Sequence, residues 1–144
     1  MNNIYQLSVF VENKPGRVHH ITEVLGKNNI DIRALSIAET ADYGVLRLIV
    51  RNPEQASQIL KSENITVLLT PVIAVAIQDT PGALVATMNA LASEKIGIEY
   101  MYAFLNPTPD TAYMILRVED NEKAISALTS AGVRLVAEKE LYEI

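Results

Sequence analysis

Two short segments carry residue types able to hold a small charged molecule. They are Asn13-Lys14-Pro15-Gly16-Arg17-Val18 and, 66 positions on, Asp79-Thr80-Pro81-Gly82-Ala83-Leu84. In each, a Pro-Gly pair separates an alternating apolar stretch from a helical pattern. Glycine at such a junction permits a positive φ or a close backbone approach, and the N–H groups of a helix's first turn attract a carboxylate. The plainer reading, a tight turn that starts a helix and nothing more, is the one the residues alone favour. Lys14, Arg17 and Arg33 are expected to cluster near the first turn, where an arginine can grip a carboxylate through two bonds. Their counterparts are Thr80, Ala83 and Glu99, so the two sites are not equivalent.

Other chemistry finds little support. There is no Ser/His/Asp arrangement, no nucleophile elbow and no phosphate-binding loop. His19 and His20 are the only histidines. Adjacent on a helix, they point roughly 100° apart and cannot share a metal. No cysteine is present, which excludes disulfides and thiolate sites. Neither catalytic residues nor a cofactor or metal is expected. Tyr100, Tyr102 and Phe104 alternate as a base-stacking row would, but their half of the chain is acidic, and packing is the better account.

The elements that position these residues come from a 144-residue chain, 49% hydrophobic and 20% charged. That balance excludes disordered and fibrous classes. No apolar run reaches the ~18 residues of a membrane helix, and the first residues do not resemble a secretory leader, so the cytoplasm is expected and a membrane is not. A net charge of −5 argues against nucleic acid as a partner. Residues 1–70 balance 7 basic against 7 acidic groups, whereas residues 71–144 hold 5 and 10.

Internal repetition organises the chain. At an offset of 66, Pro15, Gly16, Leu25, Ile30 and Ile32 meet Pro81, Gly82, Leu91, Ile96 and Ile98. Past residues 106–109 the offset becomes 68, and Leu48, Val50, Glu54, Ala56, Leu60 and Ser62 meet Leu116, Val118, Glu122, Ala124, Leu128 and Ser130. Each copy reads strand, helix, strand, strand, helix, strand. Tyr5, Leu7, Val9 and Val11 alternate, then Val18, Ile21, Val24 and Leu25 recur at helical spacing. A second strand is expected over 30–40, a third over 45–51, and a helix begins at Asn52-Pro53 with Gln55 completing a capping box. A short fourth strand over 65–69 leads to a hinge at Thr70-Pro71. The second copy then runs as a strand over 72–77, a helix striped by Leu84, Met88 and Leu91, two strands, a helix capped by Asp120, and a last strand over 133–137. Residues 139–144 are expected to extend that strand or pair with the other copy. The expected class is α+β: two tandem ferredoxin-like βαββαβ units, residues 1–70 and 71–144, each an antiparallel sheet with its helices on one face.

Two such units, each opening on a strand and then N/D-x-P-G-x-V/L with Ile30-Asp31-Ile32 or Ile96-Gly97-Ile98 following, resemble tandem ACT domains over residues 3–139. Asn13 and Val18 depart from the usual Asp and Leu. The resemblance implies a regulatory module that binds a small molecule, most often an amino acid, between paired units. It places candidate ligand contacts at Asn13, Pro15, Gly16, Arg17, Val18 and Asp31, and at Asp79, Pro81, Gly82, Ala83, Leu84 and Gly97. Backbone amides near the glycines would hold the carboxylate, and Asn13, Asp31 or Asp79 the amino group.

The leading expectation is a stand-alone regulatory protein, not an enzyme, that binds an amino acid and signals to a partner enzyme. Homodimerisation is expected because sheet edges or a face would stay open. The alternative is a structural module that binds no ligand and docks an enzyme through Val45, Ile49, Tyr113 and Ile115. An acylphosphatase-like enzyme on the same fold has only Arg17 in its favour.

Overall fold

The computed structural model describes residues 4–39, 42–105 and 108–143. Thr40, at the expected end of the second strand, lies outside them, as do Asn106 and Pro107, where the repeat offset changes, and the terminal Ile144. In chain order the elements are β1 (Ile4–Glu12), α1 (Arg17–Lys27), β2 (Ile32–Glu39), β3 (Tyr43–Val50), α2 (Pro53–Ser62), β4 (Val67–Gln78), α3 (Leu84–Ser93), β5 (Ile98–Ala103), β6 (Thr111–Val118), α4 (Asn121–Ser130), β7 (Arg134–Leu135) and α5 (Glu138–Glu143). The chain divides into two compact units, one holding Tyr5–Thr70 and the other residues 71–143 with Ile4.

In the first unit β3 is flanked by β2 and β1, both antiparallel to it. The Phe10 N–H donates to the Thr66 carbonyl at 3.0 Å, and the Ser8 and Thr70 hydroxyls bond at 2.8 Å, placing the start of β4 beside β1. Leu7, Val9 and Val11 of β1 share a buried cluster with Leu46, Leu48 and Val50 of β3 and with Ile21, Val24, Leu25, Ala56 and Leu60 of the two helices. Alternate strand residues therefore face both helices, which lie on one side. In the second unit β4 pairs with β6 and β7, and β6 with β5, all antiparallel. Ile73, Val75, Leu91, Leu116, Val118, Ala124 and Leu128 form its core. Each unit is thus the expected α+β, ferredoxin-like arrangement.

Three local expectations are corrected. The strands expected at 65–69 and 72–77, separated by a hinge, are one strand, β4, uninterrupted from Val67 to Gln78. Pro71 offers no N–H, but its carbonyl accepts from Arg117 Nη1 at 2.6 Å and Asn121 Nδ2 at 3.2 Å. Asn52 does precede α2 with Pro53 in its first turn, yet no side chain caps that helix, so the capping box with Gln55 does not form. Asp120, by contrast, accepts from the Lys123 N–H at 3.1 Å as expected. The last strand shrinks to two residues, and the segment after it is helix α5 rather than strand. Helical spacing buries Leu141. Burial there pushes the Tyr142 phenol's pKa up. Arg134 bonds Glu140, tying α5 to β7.

Helices α1 to α4 end alike. A left-handed residue follows each, Asn29 (φ 58), Asn64 (φ 60), Lys95 (φ 56) and Gly132 (φ 77). The next N–H, from Ile30, Ile65, Ile96 and Val133, returns to the carbonyl of Leu25, Leu60, Leu91 and Leu128 at 3.0 Å each. This is the six-to-one closure that favours glycine or asparagine. Lys95 is the misfit, because left-handed backbone costs an ordinary residue about 1–2 kcal/mol. Glycine adds chain entropy to the unfolded state, so the expected net gain for Lys95→Gly is about 0.5–1 kcal/mol. An unchanged or lower midpoint in urea unfolding would show that Lys95 is not strained.

Candidate functional site

The repeated turn has one backbone and two sets of side chains. Gly16 and Gly82 take φ +88° and +82° with open space where a Cβ would stand, so it is the backbone conformation that calls for glycine. The Lys14 N–H donates to the Glu12 carbonyl at 2.8 Å and the Thr80 N–H to the Gln78 carbonyl at 2.9 Å. Arg17 and Ala83 repeat the next bond, to Lys14 and Thr80, at 3.4 and 3.2 Å. No side chain caps α1 or α3, leaving both helix starts open toward the turn.

At the first turn the open start of α1 faces a cavity of about 360 Å³ lined by Val11, Glu12, Asn13, Lys14, Pro15, Gly16, Val18, Ile37, Glu39 and Gly44. Glu12 pairs with Lys14 Nζ at 2.9 Å and with Arg17 at 3.6 Å. The hydrogen bond from Lys14 is the main reason the Glu12 carboxyl titrates below its ordinary range. Arg17 does not line this cavity. It lines a smaller one, about 220 Å³, on the other side of the helix start with His20, Ile21 and Thr66.

The first unit keeps Asp31 away from its own turn. Eleven residues of α1, at about 1.5 Å each, separate the two ends. Asp31 Oδ2 accepts from Arg51 Nε at 2.8 Å and Arg33 Nη1 at 3.3 Å, and the Arg51 bond chiefly holds its pKa down. Arg33 is therefore at the Asp31 end, and the expected cluster of Lys14, Arg17 and Arg33 does not form. In the second unit Gly97 holds the equivalent place. Its N–H donates to Glu119 Oε1 at 2.6 Å, and a Cβ would stand 2.7 Å from that oxygen. Asp79, Pro81, Gly82 and Ala83 form the second turn, with the Asp79 N–H donating to the Asp110 carbonyl at 2.8 Å, and Leu84 opens α3.

Sequence reasoning missed Glu39 as a residue of the first cavity. The pairing of Glu39 with Gly44 across β2 and β3 shows why it arrives there, since β2 ends where β1 ends. Of the residues expected to form a docking face, Ile49, Tyr113 and Ile115 are buried and Val45 is half-buried. Tyr102 and Phe104 are buried too, the latter edge-on to Tyr113 at 6.0 Å, in line with packing rather than base stacking. Among the described residues no cluster of three or more His, Asp or Glu side chains is placed to hold a metal, and no helix is long and apolar enough to cross a membrane.

A family model described as the ACT domain pair matches residues 2–144. The chain belongs to that family. The ACT pair shares 41% identity and a TM-score of 0.91 with a crystal structure of protein BT0572 from Bacteroides thetaiotaomicron, covering 99% of this chain and 97% of that one. It also shares its fold with the regulatory subunit of aspartate kinase from Thermus thermophilus, in ligand-free form, at TM-score 0.64 and 17% identity, covering 91% and 93%. The regulatory subunit from Thermus flavus is similar at TM-score 0.62 and 16% identity, covering 92% and 94%. A search of curated proteins returns no match.

Proposed function

We propose that this ACT pair is a regulatory, non-catalytic protein that binds an amino acid at its Pro-Gly turns and signals to a partner enzyme. Its domains would be residues 1–70 and 71–144, acting in the cytoplasm as a homodimer. The observation that carries the reading is the first turn, where an uncapped helix start, the Glu12–Lys14 pair and the apolar Val11, Val18 and Ile37 meet around one cavity. Amides near Gly16 and the Lys14 ammonium suit a carboxylate, and the apolar wall suits a side chain. Asn13, Pro15, Gly16 and Val18 are the proposed contacts in that cavity, with Arg17 a proposed contact of the same turn outside it, and Asp79, Pro81, Gly82, Ala83 and Leu84 are those at the second turn. Asp31 and Gly97 complete the proposed contacts. Family membership and the likeness to kinase regulatory subunits support a regulatory role.

A ligand that favours one conformational state shifts the population toward it by its differential affinity, which is how a partner would sense it. A thermal-shift screen of the twenty amino acids at millimolar concentration tests the reading. A ligand at 100 times its dissociation constant adds about 2.7 kcal/mol, and each kcal/mol moves the midpoint by about 2–8 °C. At least one amino acid is expected to raise it by several degrees. Silence across the panel, with an enzyme still recovered in pull-downs, would favour a docking module instead.

A further inference from the structure

A free amino acid is a zwitterion, so a site that holds its carboxylate also needs an acceptor for its ammonium. The first unit has spent most of its nearby carboxylates. Glu12 is paired with Lys14 and Arg17. Asp31 is at the far end of α1, bonded by Arg51 and Arg33. Glu39 remains. It lines the same cavity as Gly16 and Lys14, and among the described residues its side chain has no ion pair or hydrogen bond. It shares a face of β2 with Ile37, two residues back, which gives the cavity part of its apolar wall. Gly44 stands directly across from Glu39 and lines the cavity as well.

The second unit lacks this set. Its strand register repeats that of the first, with Met101 paired to Leu116 as Leu35 is to Leu48, so the place of Glu39 falls on Leu105. Glu12, Lys14 and Arg17 give way to Gln78, Thr80 and Ala83. None of the residues that take those places is a cation. Resting on the ligand reading above, we propose that the first turn is the one that takes a zwitterionic α-amino acid with an apolar side chain, and that Glu39 is the acceptor of its ammonium.

Calorimetric titration of the full chain with the twenty amino acids tests this, followed by the 2-hydroxy acid analogue of each one that binds. Glu39→Gln keeps the shape and removes the charge. It is expected to weaken binding at least about tenfold, the scale of one charge-assisted bond. The deaminated analogue should bind the unaltered protein weakly by a similar factor and lose little more in Glu39→Gln, because the two changes remove the same contact. Leu105→Ala should leave affinity within about twofold. The analogue comparison uses the unaltered chain, so it stands even if the variant folds poorly. Amino acid binding that is unchanged in Glu39→Gln, or an analogue that binds as well as its parent, overturns the assignment while leaving the ligand reading intact. If no amino acid binds, both fall.

Discussion

Gly16→Val is expected to lower the stability of the protein by about 2 kcal/mol and to abolish amino acid binding at the first turn. The stability loss is a backbone effect. Gly16 holds φ +88° with nothing within 4 Å of an added Cβ, so there is room for a side chain but no favourable conformation for one. Left-handed backbone costs ordinary residues about 1–2 kcal/mol, and a β-branched residue stands at the upper end or beyond. Relaxing that strain moves the start of α1, whose His20 N–H donates to the Gly16 carbonyl at 2.9 Å, and with it the amides proposed to hold the carboxylate. Gly16→Asn, which tolerates the left-handed region better, should recover part of both losses. Thermal unfolding with and without the ligand checks the pair. A valine variant that melts like the unaltered protein would mean the turn is free to take another conformation.

Gly97 shows why glycines in repeated positions are not interchangeable in argument. Its φ is not in the left-handed range, and what excludes a side chain is the Glu119 carboxylate at 2.7 Å. That carboxylate is the end of a flexible chain and can swing aside, so Gly97→Ala loses one hydrogen bond rather than a fold.

The repeat and the order of elements were legible because the apolar positions of each copy are tied to one period on strands and another on helices, and Pro-Gly marks the junction between them. Leu25 and Leu91, or Leu60 and Leu128, coincide because each fills the same place in a core. Joining β4 across Thr70-Pro71 was not legible, since a proline reads as a break. The bonds from Arg117 and Asn121 satisfy the Pro71 carbonyl within the strand. Helix α5 is six residues long, too short for a periodic signal. At the site, the turn could be read from spacing, whereas Glu39 could not. It is 23 positions from Gly16 and reaches the cavity only through the register of β2 on β3. The signal available was a strand ending in a lone carboxylate whose counterpart, Leu105, is apolar.

The four leucines at the helix ends carry the other large effect. Leu25, Leu60, Leu91 and Leu128 are all fully buried, 0–1% exposed, and each also lends its carbonyl to the closing bond described above. Leu91→Ala separates these two roles, because alanine keeps the carbonyl and removes the side chain. The lost transfer energy and the cavity left behind are expected to cost about 3–4 kcal/mol, a large share of the roughly 5–15 kcal/mol typical of a small domain. Alanine's better helix propensity offsets only a few tenths. If the closing bond survives, the gain expected from Lys95→Gly, which acts on the backbone, should persist in the Leu91→Ala background. A double variant in urea unfolding measures this directly. Near-additive shifts mean that the backbone closes each helix independently of the side chain beneath it. A gain that vanishes with Leu91 means that the packed leucine is what holds Lys95 in its left-handed conformation, and a loss below about 1 kcal/mol for Leu91→Ala alone would show that the core collapses readily around the missing side chain.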